Sequence, residues 1–166
     1  TTMKAPDYLA INPMGKVPAL IHNGEVITEG AAIITYLADA FPAAGLMPAN
    51  RAAFFRWMFF GAGPVEAAVT NKALGVEVPP ERRGMVGYGS MEAVTNTLAA
   101  QLEKTPYLCG DSFSAADVYV GSQIGFGMRF KTIEDRPVFT EYWGRIAARP
   151  ALARSTAKND ALLPKG

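Results

Sequence analysis

The stretch NPMGKVPALIHNGEVITEG, residues 12–30, decides how the rest of the chain reads. It holds two prolines, three glycines and the chain's only histidine. Asn23-Gly24 lies between two short runs, Val17 to Ile21 and Glu25 to Thr28. Asn-Gly in that position is the strongest local hairpin signal, because both residues tolerate the positive φ of a type I′ turn. From Gly30 to Phe41 the apolar spacing becomes helical, and it stops before Pro42 and Gly45. A hairpin running directly into a helix is expected, preceded by a short helical or irregular lead-in at MKAPDYLAIN.

Further along, FPAAGLMPAN reads as a turn-rich connector without periodicity, which places a first unit at residues 1–45 and a second at 50–166. Strand signals vanish in the second unit. Arg51 to Leu74 has a helical pattern interrupted at Gly61, Gly63 and Pro64, where loss of a backbone donor should bend the axis. Glu81 to Glu103 reads as a second long helix, weakened near its start by Gly84, Gly87 and Gly89. Ser114 to Phe130, Pro137 to Ala148 and Pro150 to Asn159 complete an all-α unit, both prolines suiting a first helical position. One hairpin and one helix bury too little apolar surface to stand alone. Further strands are therefore expected before Thr1, where the chain opens without an initiator methionine.

The 166 residues are 49% hydrophobic and 19% charged, with a formal net charge of +1. That balance lacks the basic excess that binding to a phosphate backbone or an anionic membrane requires. No apolar run approaches the roughly 18 to 20 residues of a membrane span, and no secretion signal opens the chain. A cytoplasmic protein is expected. Cys109 is the only cysteine, which excludes an internal disulfide, a CxxC pair and a cysteine metal cluster.

Two places carry candidate chemistry. At Val17-Pro18, a trans proline in an ordinary loop is one reading. A cis proline that leaves the Val17 main chain unpaired, free to hold a small extended peptide by strand addition, is the other. At Thr28-Glu29-Gly30 a strand hands over to a helix, whose first N–H groups are unsatisfied and suit a carboxylate. Glu29 either holds an ammonium beside it, giving a site for an α-amino acid head, or serves as an acid complementing the helix dipole.

Taken together, these segments resemble the glutathione transferase superfamily. NPMGKVPAL resembles the family's loop before its cis-proline, TEGAAIITYLAD its Glu-Ser-x-Ala-Ile-x-x-Tyr-Leu element, and GDSFSAADVYVGS the capped helix of its C-terminal domain. The resemblance implies an incomplete thioredoxin-like α/β portion followed by an all-helical domain. By the same resemblance, Val17 would pair through its backbone with the cysteinyl residue of glutathione, and Pro18 would be the cis-proline. Glu29 and Gly30 would hold the γ-glutamyl head, and Lys16 would neutralise the glycyl carboxylate. Gly30 departs from the family pattern, which has serine or threonine there; a lost hydrogen bond to a charged group is worth about 1.5–3 kcal/mol. The thiol-activating Tyr, Ser or Cys would lie upstream of Thr1, so the chain contains no candidate catalytic residue. The activity implied is attack of the glutathione thiolate on small hydrophobic electrophiles by a homodimeric detoxification enzyme. Alternatives are a glutathione-dependent disulfide reductase, dehalogenase or isomerase, a non-catalytic binding or assembly protein, and a complete short chain with a vestigial site.

For the electrophile pocket the resemblance points to Arg56, Phe59 and Phe60 on the first long helix and to Met128, Arg129 and Phe130 at the end of the capped one. Ser114 is expected to cap that helix, with Asp117 returning a bond to the Ser114 N–H and Phe113 stapled on Val118. His22 is expected at the surface beside the turn, away from any binding edge. Cys109 is read as a small buried hydrophobe and Arg82-Arg83 as a solvated face.

Overall fold

Strands β1 (Ala19–His22) and β2 (Glu25–Thr28) pair antiparallel, with Ala19 opposite Thr28 and His22 opposite Glu25. Asn23 and Gly24 both have positive φ, 51° and 83°, as the two-residue turn demands. The computed structural model describes residues 2–163. β1 starts at Ala19 rather than Val17, because Pro18 has no N–H to give a ladder. Helix α1 (Pro6–Ile11) forms the lead-in, with proline in its first turn. Helix α2 (Gly30–Ala40) follows β2 directly and packs on the hairpin and on a helix of the second unit.

The pattern from Arg51 to Leu74 resolves into α3 (Arg51–Phe60), a π-helical turn at Gly61–Val65 and α4 (Glu66–Ala73). Pro64 removes one donor, and the backbone answers by widening: the Glu66 N–H reaches the Gly61 carbonyl, one residue beyond α-helical spacing. Gly61 is required there, since a Cβ would lie 2.8 Å from Val120 Cγ2 and 3.0 Å from Tyr119 Cε1.

The helix expected from Glu81 starts later. Pro80–Met85 is a 3-10 segment, the chain turns at Gly89 with φ 66°, and α5 spans Met91–Leu102. Three glycines make a helix through residues 84–89 costly, about 1 kcal/mol each relative to alanine. Ser90 is the better start, its Oγ accepting the Ala93 N–H at 3.1 Å. Helices α6 (Ala115–Arg129), α7 (Pro137–Ala147) and α8 (Pro150–Asp160) complete the chain.

One apolar core joins these elements, with Phe54 and Trp57 of α3, Leu98 of α5, Val120 and Ile124 of α6, and Phe139 and Tyr142 of α7 all buried. Ala38 of α2 belongs to it as well. α2 is thereby fixed against α6, which positions the site described below. At the head of α6 the buried Asp117 carboxylate accepts four hydrogen bonds. Its Oδ2 takes the Ser114 N–H at 2.8 Å and the Ser114 hydroxyl at 2.9 Å; Oδ1 takes the Leu108 N–H at 2.9 Å and the Tyr142 hydroxyl at 2.8 Å. The return bond expected from Asp117 is present. Phe113 packs edge-to-face on Tyr107 and under the Arg149 guanidinium, and Val118 lines an apolar cavity.

Candidate functional site

The loop from Asn12 to Pro18 is held from below by α1. The Tyr8 hydroxyl and the Asn12 side-chain amide both donate to the Lys16 carbonyl, at 2.6 and 2.9 Å, and Asn12 Oδ1 accepts the Met14 N–H at 3.1 Å. Asn12 is buried, so this brace is shielded from water. Immediately beyond it, Val17-Pro18 is cis, and Val17 is 64% exposed. Neither the N–H nor the C=O of Val17 has a hydrogen-bond partner among the described residues. Of the two sequence readings of this dipeptide, the cis proline with an open main-chain edge is the one observed.

Across from that edge stands the N-terminus of α2. Asn50 caps α3 and Ser90 caps α5 through their side chains, but Glu29, at the cap position of α2, makes no such bond. The first amides of α2 are left open, a ready anion-binding tip. Glu29 has φ 68°, a left-handed conformation that costs a non-glycine residue about 1–3 kcal/mol. Its exposed carboxylate makes no capping hydrogen bond, which leaves it available to a ligand beside the helix tip.

These parts converge. A cleft of about 360 Å³ is lined by Lys16, Val17, Pro18, Glu29 and Gly30, all five residues singled out from the sequence, together with Asn12, Ala31, Ala62, Glu66 and Tyr119. Lys16 puts one positive charge at the rim; Glu29 and Glu66 put two negative ones there. An apolar cavity of about 550 Å³ adjoins it between α4 and α6, and Glu66 and Tyr119 belong to both walls. Burial, then the charge of Glu66 and the phenol's hydrogen bond to its carboxylate, and last the charge of Glu29, push the Tyr119 phenol up, so it stays protonated and able to donate. Phe126 and Phe130 stack at the cavity, 6.3 Å apart and 12° from parallel.

The residues expected for the second pocket are dispersed. Phe130 lines the apolar cavity. Met128 is buried in the core, and Phe60 packs edge-to-face on Trp57. Arg56 lies over the Trp57 ring and Arg129 over the Phe130 ring. Phe59 faces a different groove, between α2 and α3. The reason is helical phase: after the π turn, the face toward the cleft is supplied by α4, not by α3. Glu66 was missed for the same reason, since nothing local says which way a helix turns after a bulge; Tyr119 was missed because its place in the cleft depends on how α6 packs on α2 and the π turn. Asn12 had a faint signal, a polar residue ending a helix just before the Gly15 turn.

His22 differs from expectation. It is half-buried, its Nδ1 lies 2.9 Å from the Tyr36 hydroxyl, and its ring packs on Tyr36 and Phe41. Cys109 is half-buried; burial pushes its thiol up, which leaves it a poor nucleophile. Arg82 and Arg83 are exposed. No helix among the described residues is long and apolar enough to cross a membrane.

Comparison with known proteins places the sequence and the fold. Residues 1–40 match the model of the glutathione S-transferase N-terminal domain. The chain is 30% identical to glutathione S-transferase 3 of Zea mays, over 93% of this chain and 76% of that protein. A glutathione transferase from Methylococcus capsulatus superposes with a TM-score of 0.74 at 30% identity, over 95% of this chain and 79% of the other. A sphingomonad glutathione S-transferase solved in complex with glutathione superposes at 0.72 with 31% identity, over 96% and 81%. Those structures share the architecture seen here, an α/β thioredoxin-like portion followed by a helical domain.

Proposed function

The chain belongs to the glutathione S-transferase family, and from that premise we propose that its cleft binds glutathione and that the adjoining cavity receives the electrophile to which the thiol is conjugated. The Val17 main chain takes the cysteinyl backbone, and the open amides of α2 take the γ-glutamyl carboxylate. Glu29 takes the ammonium, and Lys16 the glycyl carboxylate. The observation that carries this reading is the convergence of an unpartnered backbone edge and an uncapped helix tip on one cleft. A tripeptide with two carboxylates and one ammonium matches both features at once. The chemistry is thiolate attack on a soft electrophilic carbon, with displacement of its leaving group or addition across its double bond.

A groove of about 700 Å³ between α2 and α3, with Phe55 45% and Phe59 73% exposed, supplies an apolar face for the homodimer that forms part of the proposal. The division at residues 1–45 and 50–166 and a cytoplasmic location belong to it too. One observation favours a second reading. Gly30 offers no hydroxyl to the carboxylate, so a non-catalytic member that uses the fold for binding or assembly is the competitor. Calorimetry with glutathione, followed by a conjugation assay, both on the full-length protein, separates them. Binding with turnover supports the transferase, binding without turnover supports a non-catalytic binding member, and absence of both supports an assembly role for the fold.

A further inference from the structure

The apolar cavity contains one charged group. Among the described residues its lining is aliphatic, aromatic, amide and hydroxyl, with Glu66 as the sole ionisable side chain besides the Tyr119 phenol. Glu66 stands on the wall shared with the cleft, so any atom joined to a thiol held at Val17 must pass close to it. The hydroxyls of Ser122 and Thr132 do not offset that charge, because they are spent on the Val118 and Gly127 carbonyls. Arg129 lies at the outer end, its guanidinium 5.7 Å from the centre of the Phe130 ring, and is not part of the lining. Lys16, the one cation of the cleft among the described residues, lines the cleft but not the cavity.

The π turn sets this arrangement. Gln123 on α6 donates its side-chain amide to the Gly61 carbonyl at 3.1 Å, tying the bulge to α6. Glu66 is the first residue of α4 after that bulge, and an α-helix continuing from α3 would have turned it by a further residue's rotation, about 100°.

On the reading proposed above, we infer that Glu66 is a specificity-determining residue: it selects planar electrophiles that are cationic or carry an N–H or O–H edge near the reacting centre, and rejects anionic ones. Phe126 and Phe130 provide the stacking surface for the ring. An anionic substituent beside Glu66 meets a carboxylate that the neutral Tyr119 phenol hydrogen-bonds but does not neutralise, and a cationic one meets a partner. Glu66 is exposed at the rim, so one such charge is worth about five- to tenfold in affinity at low salt and less as salt rises.

The test is calorimetric and uses S-benzylglutathione with its 3-carboxy and 3-aminomethyl derivatives, whose tether holds the ring in the cavity without catalysis. The parent protein should bind the aminomethyl ligand about tenfold or more tighter than the carboxy ligand at low salt, with the neutral ligand between them. Glu66→Gln should bring that ratio close to one, and Glu66→Lys should invert it. Circular dichroism and thermal unfolding would establish that both variants fold. Equal binding of all three ligands by the parent, or an unchanged ratio in Glu66→Gln, overturns the inference while glutathione binding keeps the underlying reading intact. Absence of binding by glutathione and by all three conjugates overturns both.

Discussion

Asp117→Ala should be among the most damaging single substitutions in the helical domain. The carboxylate is fully buried, and its two oxygens accept two main-chain N–H groups and two hydroxyls at 2.8–2.9 Å. Hydroxyls of Ser114 and Tyr142 can rotate toward other acceptors, but the N–H groups of Leu108 and Ser114 cannot. Each orphaned buried donor costs about 1–3 kcal/mol, and loss of an acid in the first turn of α6 adds about 0.3–1 kcal/mol. Relief of carboxylate desolvation offsets part of this. A net loss of about 3–5 kcal/mol is expected, a large part of the roughly 5–15 kcal/mol that holds a domain folded. For a chain of this length that corresponds to about 6–20 °C in Tm. Urea denaturation followed by far-ultraviolet circular dichroism is the assay, with Ser114→Ala, expected to cost about 1 kcal/mol, as the mild comparator. If Asp117→Ala unfolded within about 1 kcal/mol of the parent, the argument from unsatisfied donors would be wrong.

Other perturbations follow from the same contacts. Gly30→Ser adds a Cβ only 3.5 Å from Tyr119 Cε2 and 4.0 Å from Pro18 Cγ, an ordinary fit; the new hydroxyl should tighten glutathione binding about tenfold or more by calorimetry. Gly125→Ala drives a methyl to 2.6 Å from the Trp143 ring, whereas at Gly144 nothing lies within 4 Å. The first should destabilise by about 1–3 kcal/mol, and Gly144→Ala should stabilise by about 0.5–1 kcal/mol, both read from urea midpoints. Burial, reinforced by Asp117, holds the Tyr142 phenol well above its ordinary value of 10.0. The folded state therefore keeps this proton after the unfolded chain has lost it, so the stabilisation is intact below about pH 10 and falls as pH rises further. Tyr142→Phe should flatten that alkaline decline in a series of denaturation curves.

The hairpin, α2 and the head of α6 were legible because each is specified by its neighbours in sequence. Asn23-Gly24 fixes the turn, the strand-to-helix junction fixes Glu29 and Gly30 on a helix tip, and Asp117 lies three positions after Ser114. Lys16 to Pro18 and Glu29-Gly30 meet in one cleft because the strands between them are a single hairpin, so a short-range feature assembled a site. The second pocket was not legible. Its walls depend on helical phase after the π turn, and that phase is set by Gly61 packing beneath Tyr119 and Val120, a contact between residues about sixty apart in sequence. The late start of α5 was a contest between periodicity and three glycines, decided by the Ser90 cap. His22 looked exposed because turns usually are; Tyr36, one face of a helix away, buries it.

The central claim is that the Val17 backbone and the tip of α2 act together on one ligand. Amide NMR of the isotope-labelled chain during titration with glutathione tests it most directly. The account predicts that the Val17, Gly30 and Ala31 amides shift first and together along one saturation curve, and that the Val17 amide becomes protected from solvent exchange. Saturable shifts centred elsewhere, with the Val17 and Gly30 amides unmoved, would contradict it.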